Sequence, residues 1–347
     1  MKDSLFFHPL MKPIKYHHKL FLQITGLDLK TQFLIQQVIE WSILGHRYSE
    51  KQIEDLNQEE IKWICREKQI GKSHYEYITL TNRENLLFHL SPKKGSILSY
   101  YLNLIQNQIE ISDYVMQVNS LLDKISLAYN QVNQNQNINV HYRMKPIQIR
   151  DINTTYLESF MNLNEVQSLE FMSNKELLDE LLKILEIILQ QSEKRYLLKV
   201  ENLITILNDS QIQSVLSKLY DLSLRYQIEV INFAKNEYEL LVNEALVDSI
   251  LICGDSIEQL DDYISVDDYI RRNYPIEYNG NIKDLLMRIQ RVSPYLFSKK
   301  GSYFVKEHID QVFFVLLNQG MGYADYEVLQ AEKINILEWN FLEDNLY

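Results

Sequence analysis

Two short β-prone apolar runs frame an amphipathic helix at residues 195–233, and no other stretch restricts the fold as much. It reads RYLLKVENLITILNDSQIQSVLSKLYDLSLRYQIEVINF. Residues 195–200 and 228–233 are apolar and rich in β-formers. Between them Ile212, Val215, Leu216, Leu219 and Leu222 recur at helical spacing. Two apolar strands around one amphipathic helix predict a βαβ unit with parallel strands. Parallel strands need helices over both faces, so an α/β sheet domain is expected around this unit. Residues 204–207 extend the first strand or belong to the loop.

A chain of 347 residues builds one large domain or two ordinary ones. Only 9 glycines and 6 prolines favour long helices over tight β architectures. The net charge of −12 argues against a wholly basic nucleic-acid coat. It leaves room for a local basic surface on an acidic body. Cys65 and Cys253 have no metal-ligand spacing and are expected as free thiols in a reducing cytoplasm. The N-terminus lacks a signal-peptide core, and the longest apolar runs fall short of the ~20 residues of a membrane helix. A soluble cytoplasmic protein is expected.

A strand at 19–24 precedes the turn TGLDLKT, in which Asp28 or Thr25 can cap a helix from Leu29. Strand, glycine turn and helix is the arrangement that cradles phosphate. Here the second glycine of a phosphate loop is absent. An ordinary turn is expected, with a nucleotide site using Lys30 and Thr31 as the alternative. Residues 52–69 predict a solvated helical insertion. Residues 75–80 and 85–90 predict a hairpin. The loop SPKKGS presents Lys93 and Lys94, either for solubility or for phosphate contact, and Ser96 can cap a helix over 97–109.

A long helix over 112–134 carries Val115, Val118, Leu121, Leu122, Ile125 and Tyr129. It runs into a polar Asn/Gln tract expected as a flexible link or exposed turn. The basic segment HYRMKPIQIR follows, with His141, Arg143, Lys145 and Arg150. A helix is expected around 155–161. Ser173 and Glu176 form a capping box for a helix to Gln191. Residues 249–253 predict a third buried strand. Beyond lie an acidic opening helix with Asp255, Glu258, Asp261, Asp262, Asp267 and Asp268, helices at 281–292 and 303–318, and Lys299-Lys300 between them. The segment 333–342 fits strand or helix. The acidic group lacks an EF-hand order, and no H-E-x-x-H, G-x-S-x-G or G-x-G-x-x-G is present, so no enzyme is indicated.

The strand at 196–203, the helix before it and an N-terminal lead-in (Leu10, Pro13, Ile14, then Leu20, Leu22, Ile24) resemble the Csn-type accessory adaptation protein of type II-A CRISPR loci, over roughly residues 5–252. That resemblance implies a P-loop-NTPase-like parallel-sheet head with a degenerate phosphate loop (1–110 and 193–253). It also implies an inserted helical leg (111–192), leaving residues 254–347 as a mostly helical extension that widens a subunit interface or docks a partner. It further implies a homotetrameric ring around double-stranded DNA, preferring ends, stabilised by calcium and acting in spacer acquisition. The implied partners are the CRISPR integrase complex and the type II effector nuclease. Lys93, Lys94, Arg143, Lys145, Arg150, Lys299 and Lys300 are the candidate DNA contacts. Asp151 and Glu158 are the nearest matches to the calcium ligands. An acidic scaffold that binds only proteins remains the other reading.

Overall fold

The computed structural model describes residues 3–56, 58–105, 111–136, 138, 140–162, 166–328 and 335–345. It divides into two compact units: residues 1–82 with 194–347, and residues 83–193.

The first unit is built on a six-stranded sheet. Its strands, in spatial order, are Ile257–Gln259, Ile250–Cys253, Phe21–Thr25, Ile228–Phe233, Tyr196–Glu201 and Glu76–Leu80. All neighbours run parallel except the edge strand Ile257–Gln259. The predicted βαβ unit lies at its centre. Ile228 pairs with Tyr196 and Phe233 with Glu201. The crossover helix Asp209–Arg225 is capped by Asn208 and buries the five positions predicted from spacing. Leu203–Thr205 forms a 3₁₀ turn, so residues 204–207 are loop. Phe21–Thr25 and Ile250–Cys253 complete the buried strands, whose near-continuous apolar runs suit a sheet covered on both faces.

A four-stranded antiparallel sheet packs nearby, in the order Ile14–His17, Asp3–Phe7, Lys62–Cys65, Lys68–Gln69. The helix Leu29–Leu44 shares one core with both sheets, including Phe6, Tyr16, Ile35, Ile39, Trp63, Leu197 and Phe233. This corrects the expected helical insertion at 52–69. Among the described residues there, only Glu50–Asp55 is helical. Ile61, Trp63 and Cys65 alternate inward as a strand must, and the surrounding charges masked that period. Residues 254–347 close the other side of the unit. Val247, Ile250 and Ile252 share a core with Leu285, Ile289, Phe297, Phe313 and Phe314. The expected acidic opening helix begins instead with the strand Ile257–Gln259, and the helix is Tyr263–Asn273. The helices Ile282–Val292 and His308–Gly320 follow, and Ile336–Glu343 settles the last segment as helix. Residues 333 and 334 lie outside the described residues.

The second unit is mostly helical. It holds Arg83–His89, Ile97–Ile105, Ile111–Asn135 and Asn174–Gln191, with a small hairpin Phe160–Asn162/Val166–Ser168. The expected strand at 85–90 is therefore helix. Leu86 and Leu90 are four residues apart and both buried, which satisfies a helical face as well as an alternating one. Residues 106–109 of the expected helix from Ile97 lie outside the described residues. Residues 155–161 are not one helix: a five-residue π turn, Ile152–Tyr156, gives way to the hairpin. The capping box at Ser173 forms as the sequence predicts, with Ser173 Oγ accepting from Glu176 N and Glu176 accepting from Ser173 N. Among the described residues, no helix is long and apolar enough to cross a membrane.

Candidate nucleic-acid interface

The helix Ile111–Asn135 carries Asn119, Ser126, Asn130 and Asn133 at steps of seven, four and three, which lie along one helix face. Residues 140–148 run back along that face as a strap. Asn133 Nδ2 donates to Val140 O at 2.6 Å. Asn130 donates to Tyr142 O at 2.9 Å and accepts from Tyr142 N at 2.6 Å. Ser126 Oγ accepts from Met144 N at 2.8 Å. Asn119 accepts from Ile147 N at 2.8 Å and donates to Ile147 O at 3.0 Å. The side-chain amides thus do for the strap what a strand edge would do. Tyr129 and Tyr142 add an edge-to-face ring contact.

This ordering is what residue spacing alone missed. The helix ends at Asn135, one residue past its expected end, and the segment after the Asn/Gln tract returns along it. The asparagines that matter sit on the helix and look like ordinary solvated positions. Their only sequence signal is the period at which they share a face.

The strap holds His141, Arg143 and Lys145, all exposed. No Asp or Glu lies between Asp123 and Asp151, in a chain with 47 acidic residues. Arg150 lies in the short turn Ile149–Asp151, and its side chain is outside the described residues. Asp151 Oδ2 accepts from Gln148 N at 2.9 Å, fixing the end of the strap. Lys93 and Lys94 are exposed on a loop that Ser96 holds: Ser96 Oγ donates to Ser91 O at 2.6 Å, and Ser96 N donates to Lys93 O at 3.0 Å. Lys93 shares with Glu158 a cleft of about 490 Å³, lined also by Glu84, Phe88, Phe160 and Glu170. Lys299 and Lys300 are exposed in the first unit, where Lys299 Nζ lies 3.7 Å from Asp325. The structure therefore brings together Arg143 with Lys145, and Lys93 with Glu158.

The outer faces of the same long helix are apolar. Met116 is 64% exposed and Leu127 62%, and Tyr114, Leu121, Ile125, Tyr129 and Val132 are also exposed. Of the apolar positions expected to form its packed face, only Val115 is buried. A run of this kind marks an interaction surface.

The turn at Thr25–Thr31 is filled by the chain itself. Asp28 caps the helix, accepting from Thr31 N at 3.0 Å and Thr31 Oγ1 at 2.5 Å. Gln32 Nε2 donates to Gly26 O at 2.7 Å, and Asp28 N donates to Cys253 O at 2.9 Å. A carboxylate already occupies the helix N-terminus, so a phosphate there would meet negative charge and a spent donor. The acidic group after Cys253 is likewise engaged. Asp255 accepts from Lys299 N, Asp262 caps Ser265 N, and Asp267 and Asp268 pair with Arg271 and Arg272 at 2.7 and 2.9 Å.

A comparison with curated proteins finds no match. Among solved structures, the chain resembles the crystal structure of Stu0660 of Streptococcus thermophilus, with TM-score 0.85 and 22% identity over 99% of each chain. That likeness establishes a shared fold. The sequence model for CRISPR-associated protein Csn2 subfamily St matches residues 6–339. The chain belongs to the Csn2 family of CRISPR-associated proteins, in its St subfamily.

Proposed function

We propose that the chain is a non-enzymatic ring of four copies that takes double-stranded DNA by its free ends, without reading sequence, during spacer acquisition in type II-A CRISPR immunity. In this reading it works in the cytoplasm with the CRISPR integrase complex and the type II effector nuclease. Its head is P-loop-like with a lost phosphate loop, Asp28 standing where an anion would sit. Calcium strengthens the assembly, with Asp151 and Glu158 as its nearest carboxylates.

The observation that carries the reading is the strap. Its backbone is held by the helix, while Arg143 and Lys145 are exposed on a segment free of acids. Phosphate neutralisation by such side chains is sequence-independent and salt-dependent. A basic inner rim on an acidic body also reconciles DNA binding with a net charge of −12. The exposed apolar helix faces supply surface for copies to meet.

Binding of a linear duplex and of a closed circle is compared across salt, with mass in solution measured with and without calcium. Linear DNA is expected to bind with a steep salt slope, and the circle weakly. The double variant R143A/K145A is expected to lower the slope by about 2 per bound subunit. Equal binding of circle and linear duplex would overturn the end-threading idea. The second reading, a scaffold for proteins only, draws on the same exposed apolar faces. It would be favoured if no DNA shift occurred at low salt with calcium present.

A further inference from the structure

His18, Cys65 and Glu229 are far apart in sequence and meet in the first unit. His18 follows the strand Ile14–His17, Cys65 ends Lys62–Cys65, and Glu229 lies on the central strand Ile228–Phe233. One donor atom from each lies within 4.8 Å of the other two. Cys65 Sγ is 3.2 Å from His18 Nδ1. His18 Nε2 is buried with no hydrogen-bond partner, and the nearest Glu229 oxygen is 3.7 Å away, beyond hydrogen-bonding reach. The His18 side chain is 6% exposed and that of Glu229 14%. The Tyr75 hydroxyl hydrogen-bonds Glu229.

We propose that His18, Cys65 and Glu229 bind one divalent transition-metal ion of the zinc class, leaving a fourth position for water. Imidazole, thiolate and carboxylate together are a zinc-type donor set, and three protein ligands with one open position is a recurring zinc arrangement. A hard cation such as calcium takes oxygen donors and does not suit a thiolate. Bond lengths of about 2.0–2.3 Å put tetrahedral donors roughly 3.3–3.8 Å apart, so the cluster closes on an ion with side-chain shifts of about 1 Å. The ion gives the orphaned ring nitrogen its partner. Burial raises the thiol and carboxyl pKa values and lowers that of His18 to about 4, which keeps the imidazole neutral as a ligand must be. Thiolate and carboxylate together neutralise the dication beside Arg66 and Arg195. The ion then ties the four-stranded sheet to the central strand of the six-stranded sheet.

Full-length protein stripped by a chelator is titrated with cobalt(II). One equivalent is expected to give the visible bands of tetrahedral cobalt and a thiolate-to-cobalt charge-transfer band, both bleached by zinc. Zinc is expected to raise the unfolding temperature. Cys65→Ser removes the charge-transfer band and weakens binding more than about tenfold, while Cys253→Ser changes neither. If Cys65→Ser does not fold, alkylation of the wild-type protein decides, since zinc is expected to slow modification of Cys65. Absence of cobalt bands at tenfold excess, or alkylation of Cys65 unaffected by zinc, would overturn the proposal.

Discussion

The lack of a Cβ separates Gly26 from every other residue type at its position. Its φ is +123°, and a Cβ would lie 2.1 Å from Cys253 O. The glycine serves the close approach of two parallel strand ends. Gly26→Ala is expected to destabilise the fold by at least about 2 kcal/mol, read from the urea unfolding midpoint. A change below a few tenths would show that the strand ends can separate. His8 offers a second test. It accepts from Leu10 N at Nδ1, so its Nε2–H donates to Gln37 Oε1 at 3.1 Å. The neutral ring is built in, and burial lowers its pKa below the usual 6.5. A base with a depressed folded pKa contributes stability above pH 6.5 and loses it as pH falls toward the folded value. His8→Gln keeps an amide in place and is expected to flatten the stability profile below pH 6.5. An unchanged slope would assign that region to other groups.

At the scale of elements, the strap depends on side chains that replace a strand partner. Each hydrogen bond is worth about 1 kcal/mol, so N119A/N130A removes four bonds and is expected to free the strap at a cost of roughly 2–4 kcal/mol. Hydrogen exchange at Tyr142 and Ile147 should quicken strongly while the head sheet keeps its protection. Loss of DNA affinity in the same variant would place the strap in the interface, and full affinity would move the interface elsewhere. The elements that were legible share a cause. In the βαβ unit, local period and tertiary burial agree, so Val215 and Leu219 announce the same face from either end. The strand at Lys62–Cys65 was hidden because Trp63 and Cys65 sit among lysines and glutamates on an edge-proximal strand. The strap was hidden because its partner is a helix, and no alternation records that. Arg143 and Lys145 could be singled out from charge alone, but what holds them in place lies at Asn119 and Asn130.

At the scale of the molecule, residues 254–347 belong to the same compact unit as the βαβ centre. Val247, Ile250 and Ile252 bury against Leu285, Ile289, Phe297 and Phe313. Gln290 donates to Glu237 O at 2.8 Å and to Leu240 O at 2.9 Å, and Asn318 accepts from Phe297 N at 2.9 Å. Arg288 pairs with Asp310 at 2.8 Å with both largely buried, so the helices of this region are also locked to each other. Removing residues 254–347 would bare the side chains of Val247, Ile250 and Ile252 at about 1.5–3 kcal/mol each. It would also remove Gln290 from the carbonyls of Glu237 and Leu240, which keep Leu240 N and Gln213 Nε2 as their remaining donors. The sum for the three side chains, about 4.5–9 kcal/mol, is comparable with a total stability of roughly 5–15 kcal/mol. The truncated chain is expected to lose its cooperative unfolding transition and to bind a hydrophobic dye, before any question of subunit number arises. A truncated protein that kept a sharp transition within a few degrees of the full chain would show that the six-stranded sheet stands without this cover. Its mass in solution would then report directly on whether residues 254–347 hold copies together.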